Sequence, residues 1–139
     1  MPSNIAPYLT VDGAARAIEW YEKVLGARCS FQMPAENDDR IMHSTLIVRG
    51  SVFNLADAFP EVGGHPAPDM KAGSPVAIGL TLETPAEVDR IFALAIAEGG
   101  SQSHPPEDMF WGDRFCQFHD PFGHRWMLRA ELEGRGEDA

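Results

Sequence analysis

The sequence predicts an α+β fold made of two tandem β-α-β-β-β modules. Three observations carry this. Leu9-Thr10-Val11 recurs as Leu80-Thr81-Leu82, and Tyr21 as Phe92, at one offset of 71 residues (80 − 9 and 92 − 21). Each copy holds one stretch with apolar residues at helical spacing. Around each such stretch lie short runs rich in branched and aromatic residues, the pattern of strands. A chain of 139 residues suits one domain, or two small halves sharing one structure, since each half alone buries little surface. The modules run over 5–57 and 75–131, with a linker at 58–74. A polar tail at 132–139, ending "EGRGEDA", is expected to fray.

The elements follow in order. "IAPYLTV", 5–11, reads as a strand. In "DGAARAIEWYEKVLG", Ala14, Ala17, Ile18, Tyr21 and Leu25 form a helical stripe, and Gly26 stands at its stop. "RCSFQM", "IMHSTLIV" and "SVFNLAD" are strands, the last two joined by Arg49-Gly50, a pair suited to a tight hairpin. "AFPEVGGHPAPDMKAGS" is rich in Pro and Gly and reads as a connecting loop. "PVAIGLTLE" begins the second round. Thr84 is then placed as N-cap, with Pro85 at the first helical position and Glu87 at capping-box spacing. Val88, Ile91, Phe92 and Ala95 are that helix's stripe. Strands follow near 101–106, 114–119 and 124–131. Asp120-Pro121-Phe122-Gly123 between the last two suits a type I turn.

Composition excludes several classes. Charged residues make up 23% and apolar residues 44%, as in globular proteins. No apolar run approaches the ~20 residues of a membrane span. The start "MPSNIAPYLTV" has no basic region followed by an apolar stretch, so no secretory signal is read and the expected compartment is the cytoplasm. The net charge of −10 argues against nucleic acid, which needs clustered Lys and Arg, and would favour a cationic ligand. Two cysteines, Cys29 and Cys116, make no disulfide framework or zinc motif and read as buried thiols.

Two such modules in tandem, "PYLTVDGAARAIEWYEKVLGA" at the start and "WGDRFCQFHDPFGHRW" near the end, resemble the vicinal-oxygen-chelate superfamily over about 5–131. That superfamily holds glyoxalase I, extradiol dioxygenases, and fosfomycin and bleomycin resistance proteins. The likeness is nearest to its PhnB-like and bleomycin-resistance-like branch. It implies a curved eight-stranded cup, completed in a homodimer.

In metal-dependent members, His or Glu ligands come from the first and last strands of each module. The matching positions here are Ala6, Asn54, Ala77 and Met127. These cannot make a hard-cation site, which needs carboxylate or imidazole. The inherited metal site therefore reads as lost, and no cofactor is expected.

Strand parity then sorts the cup. Ala6, Tyr8 and Thr10 face the cavity, and Ile5, Leu9 and Val11 the core. Met42, Leu46 and Val48 share the apolar parity, which leaves His43 and Thr45 facing the cup. Gly79 and Thr81 face it from the fifth strand, and Arg125, Met127 and Arg129 from the last. The expected ligand-binding residues are Tyr8, His43, Thr45, Asn54, Gly79, Trp111, Phe115, Gln117, Arg125 and Met127. His43 reads as a ligand contact or general base, or as a structural histidine. Trp111 reads as a ligand wall or as interface packing. Asp113 and Arg114 read as a rim ion pair. His65 and His104 stand beside prolines in loops.

The function expected is metal-independent binding of a small aromatic or cationic molecule, as in drug-sequestering relatives. The alternatives are a divalent-metal-dependent lyase, isomerase or dioxygenase using ligands such as His43 and His119, and a metal-free enzyme using His43 or Tyr8 as acid or base. No Gly-x-Ser-x-Gly or P-loop is present.

Overall fold

The computed structural model describes residues 4–132, so the "EGRGEDA" tail lies outside the described residues. The chain divides between Ala72 and Gly73 into two compact units. Each carries one helix and one four-stranded sheet.

In the first unit the elements are β1 (Tyr8–Val11), α1 (Ala14–Leu25), β2 (Arg28–Pro34), β3 (Ile41–Val48) and β4 (Ser51–Asp57). The strand order is β1-β4-β3-β2, with β1 parallel to β4 and the other pairs antiparallel. The second unit repeats this with β5 (Ala77–Thr81), α2 (Pro85–Ala97), β6 (Ser101–Asp108), β7 (Asp113–His119) and β8 (Arg125–Glu131), in the order β5-β8-β7-β6. This is the expected α+β pair of βαβββ modules.

One face of each sheet carries its helix. In α1 the buried residues include Ala14, Ala17, Ile18, Tyr21 and Leu25, with Trp20 and Val24 beside them. They meet Leu46, Phe53 and Leu55, where Tyr21 packs edge-on against Phe53. In the second unit, Val88, Ile91 and Phe92 of α2 cover Cys116, Phe118, Trp126 and Leu128. Burial on this scale is the main stabilising term for each unit.

Local chemistry fixes the ends. The capping box of α2 forms as expected: Glu87 N–H donates to Thr84 Oγ1, and Thr84 N–H donates to Glu87 Oε1. Arg49 and Gly50 both have positive φ, 49° and 83°. That is the geometry of a two-residue hairpin whose twist matches its strands. The α1 N-terminus has no side-chain cap of its own. Asp57, at the end of β4, supplies one instead: its Oδ1 accepts from Gly13 and Ala14 N–H, and its Oδ2 from Ile41 N–H.

Several expectations are corrected. The first strand starts at Tyr8, and Ile5 is 84% exposed where the parity placed it in the core. Pro7 marks the change, because proline sits at strand starts. Met42 is also exposed, at the beginning of β3, while Ser44 takes the buried place. The linker contains a 3-10 turn at Pro60–Val62. His104 lies in β6, with Pro105 and Pro106 after it. As β6 is an edge strand, the missing N–H groups cost little there. Cys29 is partly exposed because β2 is an edge strand of the first unit's sheet; Cys116 is buried.

Candidate functional site

Apart from Trp111, in the loop between β6 and β7, the site residues fall on the sheet faces turned away from the helices. In the second unit, Trp126 and Leu128 are buried while Met127 between them is half-buried. The register sets Gly79 beside Met127, and Met127 beside Gln117. A cavity of about 300 Å³ opens here, lined by Gly79, Leu80, Thr81, Phe115, Met127 and Arg129. A Cβ built on Gly79 would meet nothing within 4 Å. The glycine is thus not there to avoid a clash; its missing side chain leaves the cavity open.

The wall continues as aromatic rings. Phe115 stands 5.9 Å from Trp111 and 5.4 Å from His104, both edge-on. Trp111 is 42% exposed and packs against Phe110, which is 93% exposed. Its indole N–H donates to Asp113 Oδ2 at 3.1 Å. Arg129 Nη1 donates to the same oxygen at 2.9 Å. Asp113 is buried and holds both the tryptophan and the arginine at the cavity. The expected Asp113–Arg114 pair does not form. Their neighbouring positions on a strand point them apart, and Arg114 instead bonds Asp89 and Asp108, which raise its pKa in that order.

Gln117 and Arg125 are tied to each other. Arg125 Nη2 donates to Gln117 Oε1 at 3.1 Å, and Gln117 Nε2 donates to Ser103 Oγ at 2.7 Å. They stiffen the sheet face beside the cavity.

The first unit brings Tyr8, His43, Thr45 and Asn54 together. The register aligns Tyr8 with Asn54 and Asn54 with Thr45. Tyr8 Oη lies 2.8 Å from His43 Nδ1, and Thr45 Oγ1 lies 3.3 Å from His43 Nε2. Thr45 Oγ1 donates to Asn54 Oδ1 at 2.9 Å. Phe31 packs near the imidazole, ring centres 5.9 Å apart. Partial burial raises the Tyr8 pKa, so the phenol keeps its proton.

The positions expected to match a metal site, Ala6, Asn54, Ala77 and Met127, carry no carboxylate or imidazole. Asn54 is engaged with Thr45, Met127 lines the cavity, Ala77 pairs with Arg125, and Ala6 precedes β1. Among the described residues, no three His, Cys, Asp or Glu side chains are grouped to hold an ion. His43 and His119, proposed as substitute ligands, belong to different units.

The sequence reading did not single out Phe31, His104 or Asp113 as site residues. Phe31 follows a register shift between Cys29 and Phe31, which defeats simple parity counting. Asp113 was paired with its sequence neighbour Arg114, whereas its partners are Trp111 and Arg129.

Two βαβββ units of this kind, one after the other in a chain, recur in many solved structures. The chain matches the Glyoxalase/Bleomycin resistance protein/Dioxygenase superfamily over residues 4–128, and it belongs to that superfamily. A protein of Mycobacterium bovis, described as uncharacterized, is 36% identical over 126 residues, spanning 89% of this chain and 80% of its own length. A crystal structure from Pseudomonas aeruginosa has a TM-score of 0.77 at 31% identity, covering 94% of this chain and 99% of that one. A PhnB protein from Bacillus cereus has a TM-score of 0.74 at 18% identity, covering 92% and 99%; this is a likeness of fold. No described helix is long and apolar enough to cross a membrane.

Proposed function

We propose that the protein binds a small aromatic molecule without a metal, in the cytoplasm, as a homodimer. The observation that carries this is the cavity over Gly79, walled by Phe115 and Met127 and ending at Thr81 and Arg129. Its volume of about 300 Å³ is at the small end for ligand pockets, which are mostly apolar with a few placed polar groups. One or two fused rings match it. Trp111 and His104 extend the aromatic wall through Phe115. The dimer and the compartment rest on the family likeness and on the sequence; sedimentation at micromolar concentration should give the mass of two chains.

Gly79→Leu tests the binding reading. The backbone there tolerates a side chain, and the space above is empty. The variant should fold at least as well as the parent, since glycine weakens a strand interior. It should lose the thermal stabilisation that 1-naphthol gives the parent. Equal stabilisation of parent and variant by 1-naphthol would place binding elsewhere and defeat the reading.

A further inference from the structure

The hydrogen bonds of the first unit have a direction. A hydroxyl carries one proton. Thr45 spends its proton on Asn54 Oδ1, so its oxygen can only accept from His43. His43 Nε2 therefore carries hydrogen. A neutral imidazole has one N–H, which leaves Nδ1 bare. Tyr8, 2.8 Å away, must donate to it. Every donor points from Tyr8 towards Asn54, and Tyr8 is left with an oxygen that can only accept.

We propose that this end of the chain binds the protonated nitrogen of an aromatic amine. Tyr8 Oη accepts an N–H of the ammonium. The Tyr8 and Phe31 rings, 54% and 49% exposed, are apolar surface for the ligand's own ring. They share the helix-free face with Asn54 and Thr45: the register runs Tyr8, Asn54, Thr45, Phe31 across the four strands. The net charge of −10 draws cations towards the protein. This contact belongs to the first unit and does not use the second-unit cavity of the binding reading above.

The test is calorimetric titration of the full chain with 2-phenylethylamine, its N-trimethylammonium analogue and neutral 2-phenylethanol. The primary amine should bind roughly tenfold or more tightly than the other two, the scale of a hydrogen bond to a charged group. Tyr8→Phe keeps the ring and should erase the difference between the two cations. Equal or tighter binding of the trimethylammonium analogue would overturn the proposal, as would an unchanged preference in Tyr8→Phe. If 1-naphthol binds and no amine does, this inference fails alone. If neither binds, the binding reading fails with it.

Discussion

Asp120 is a carboxylate with 1% of its surface exposed, and it works as an acceptor. Its Oδ1 accepts from Phe122 and His124 N–H, and its Oδ2 from Trp126 Nε1 at 2.9 Å. It thus holds the turn before β8 and fixes Trp126, whose neighbour Met127 lines the cavity. Asp120→Asn keeps the size but turns an NH₂ towards a donor. The expected cost is about 2–4 kcal/mol, the scale of a buried polar group left unsatisfied within a network, read as a lower urea midpoint. Cys116 makes a second case. Burial pushes its thiol up from 9.0 to about 12, partly offset by a backbone hydrogen bond at Leu128. In the folded chain the proton is held more tightly than in the unfolded one. The stability this reflects is present below about pH 9 and is lost as pH rises towards 12. Native protein at pH 8 should therefore give Ellman's reagent access to Cys29 while Cys116 stays unlabelled until denaturant is added. Labelling of both thiols at the native rate would contradict the buried placement.

At the scale of elements, the second helix depends on its first turn. Thr84→Ala removes one half of the capping box and should lower stability by about 1 kcal/mol, measured by chemical unfolding, without altering the cavity residues on the opposite sheet face. This box was legible because its parts lie within four residues of each other. Strands β3 and β4 were legible for the same reason, since alternation and the Arg49-Gly50 turn are local signals. The candidate site was legible only as far as parity reached. It turned Tyr8, His43, Thr45, Gly79 and Met127 all towards one cup; in the structure Tyr8, His43 and Thr45 meet within the first unit, and Gly79 and Met127 line a cavity of the second. It could not follow β2 through its bulge to Phe31, nor choose the partner of Asp113. Those depend on contacts between residues far apart in sequence, such as Arg129 with Asp113. Asp57 is similar: its capping of α1 spans 43 residues and has no local signature.

At the scale of the whole molecule, the repeat sets the plan and the two copies diverge in chemistry. The row Tyr8–Asn54–Thr45 in the first unit corresponds to Gly79–Met127–Gln117 in the second. One face carries a directed hydrogen-bond chain, the other an apolar cavity. Among the described residues, neither face groups three His, Cys, Asp or Glu side chains that could hold an ion. The central claim is binding without metal at the second face. The most direct measurement is a fluorescence titration of chelator-treated protein with 1-naphthol. It reads Trp111, the partly exposed tryptophan, while Trp20 and Trp126 are buried. Saturable binding at one site per chain is predicted, with the same affinity before and after manganese, nickel or zinc is restored, and lost in Gly79→Leu. Binding that appears only once metal is returned, or no saturable binding at all, would contradict it.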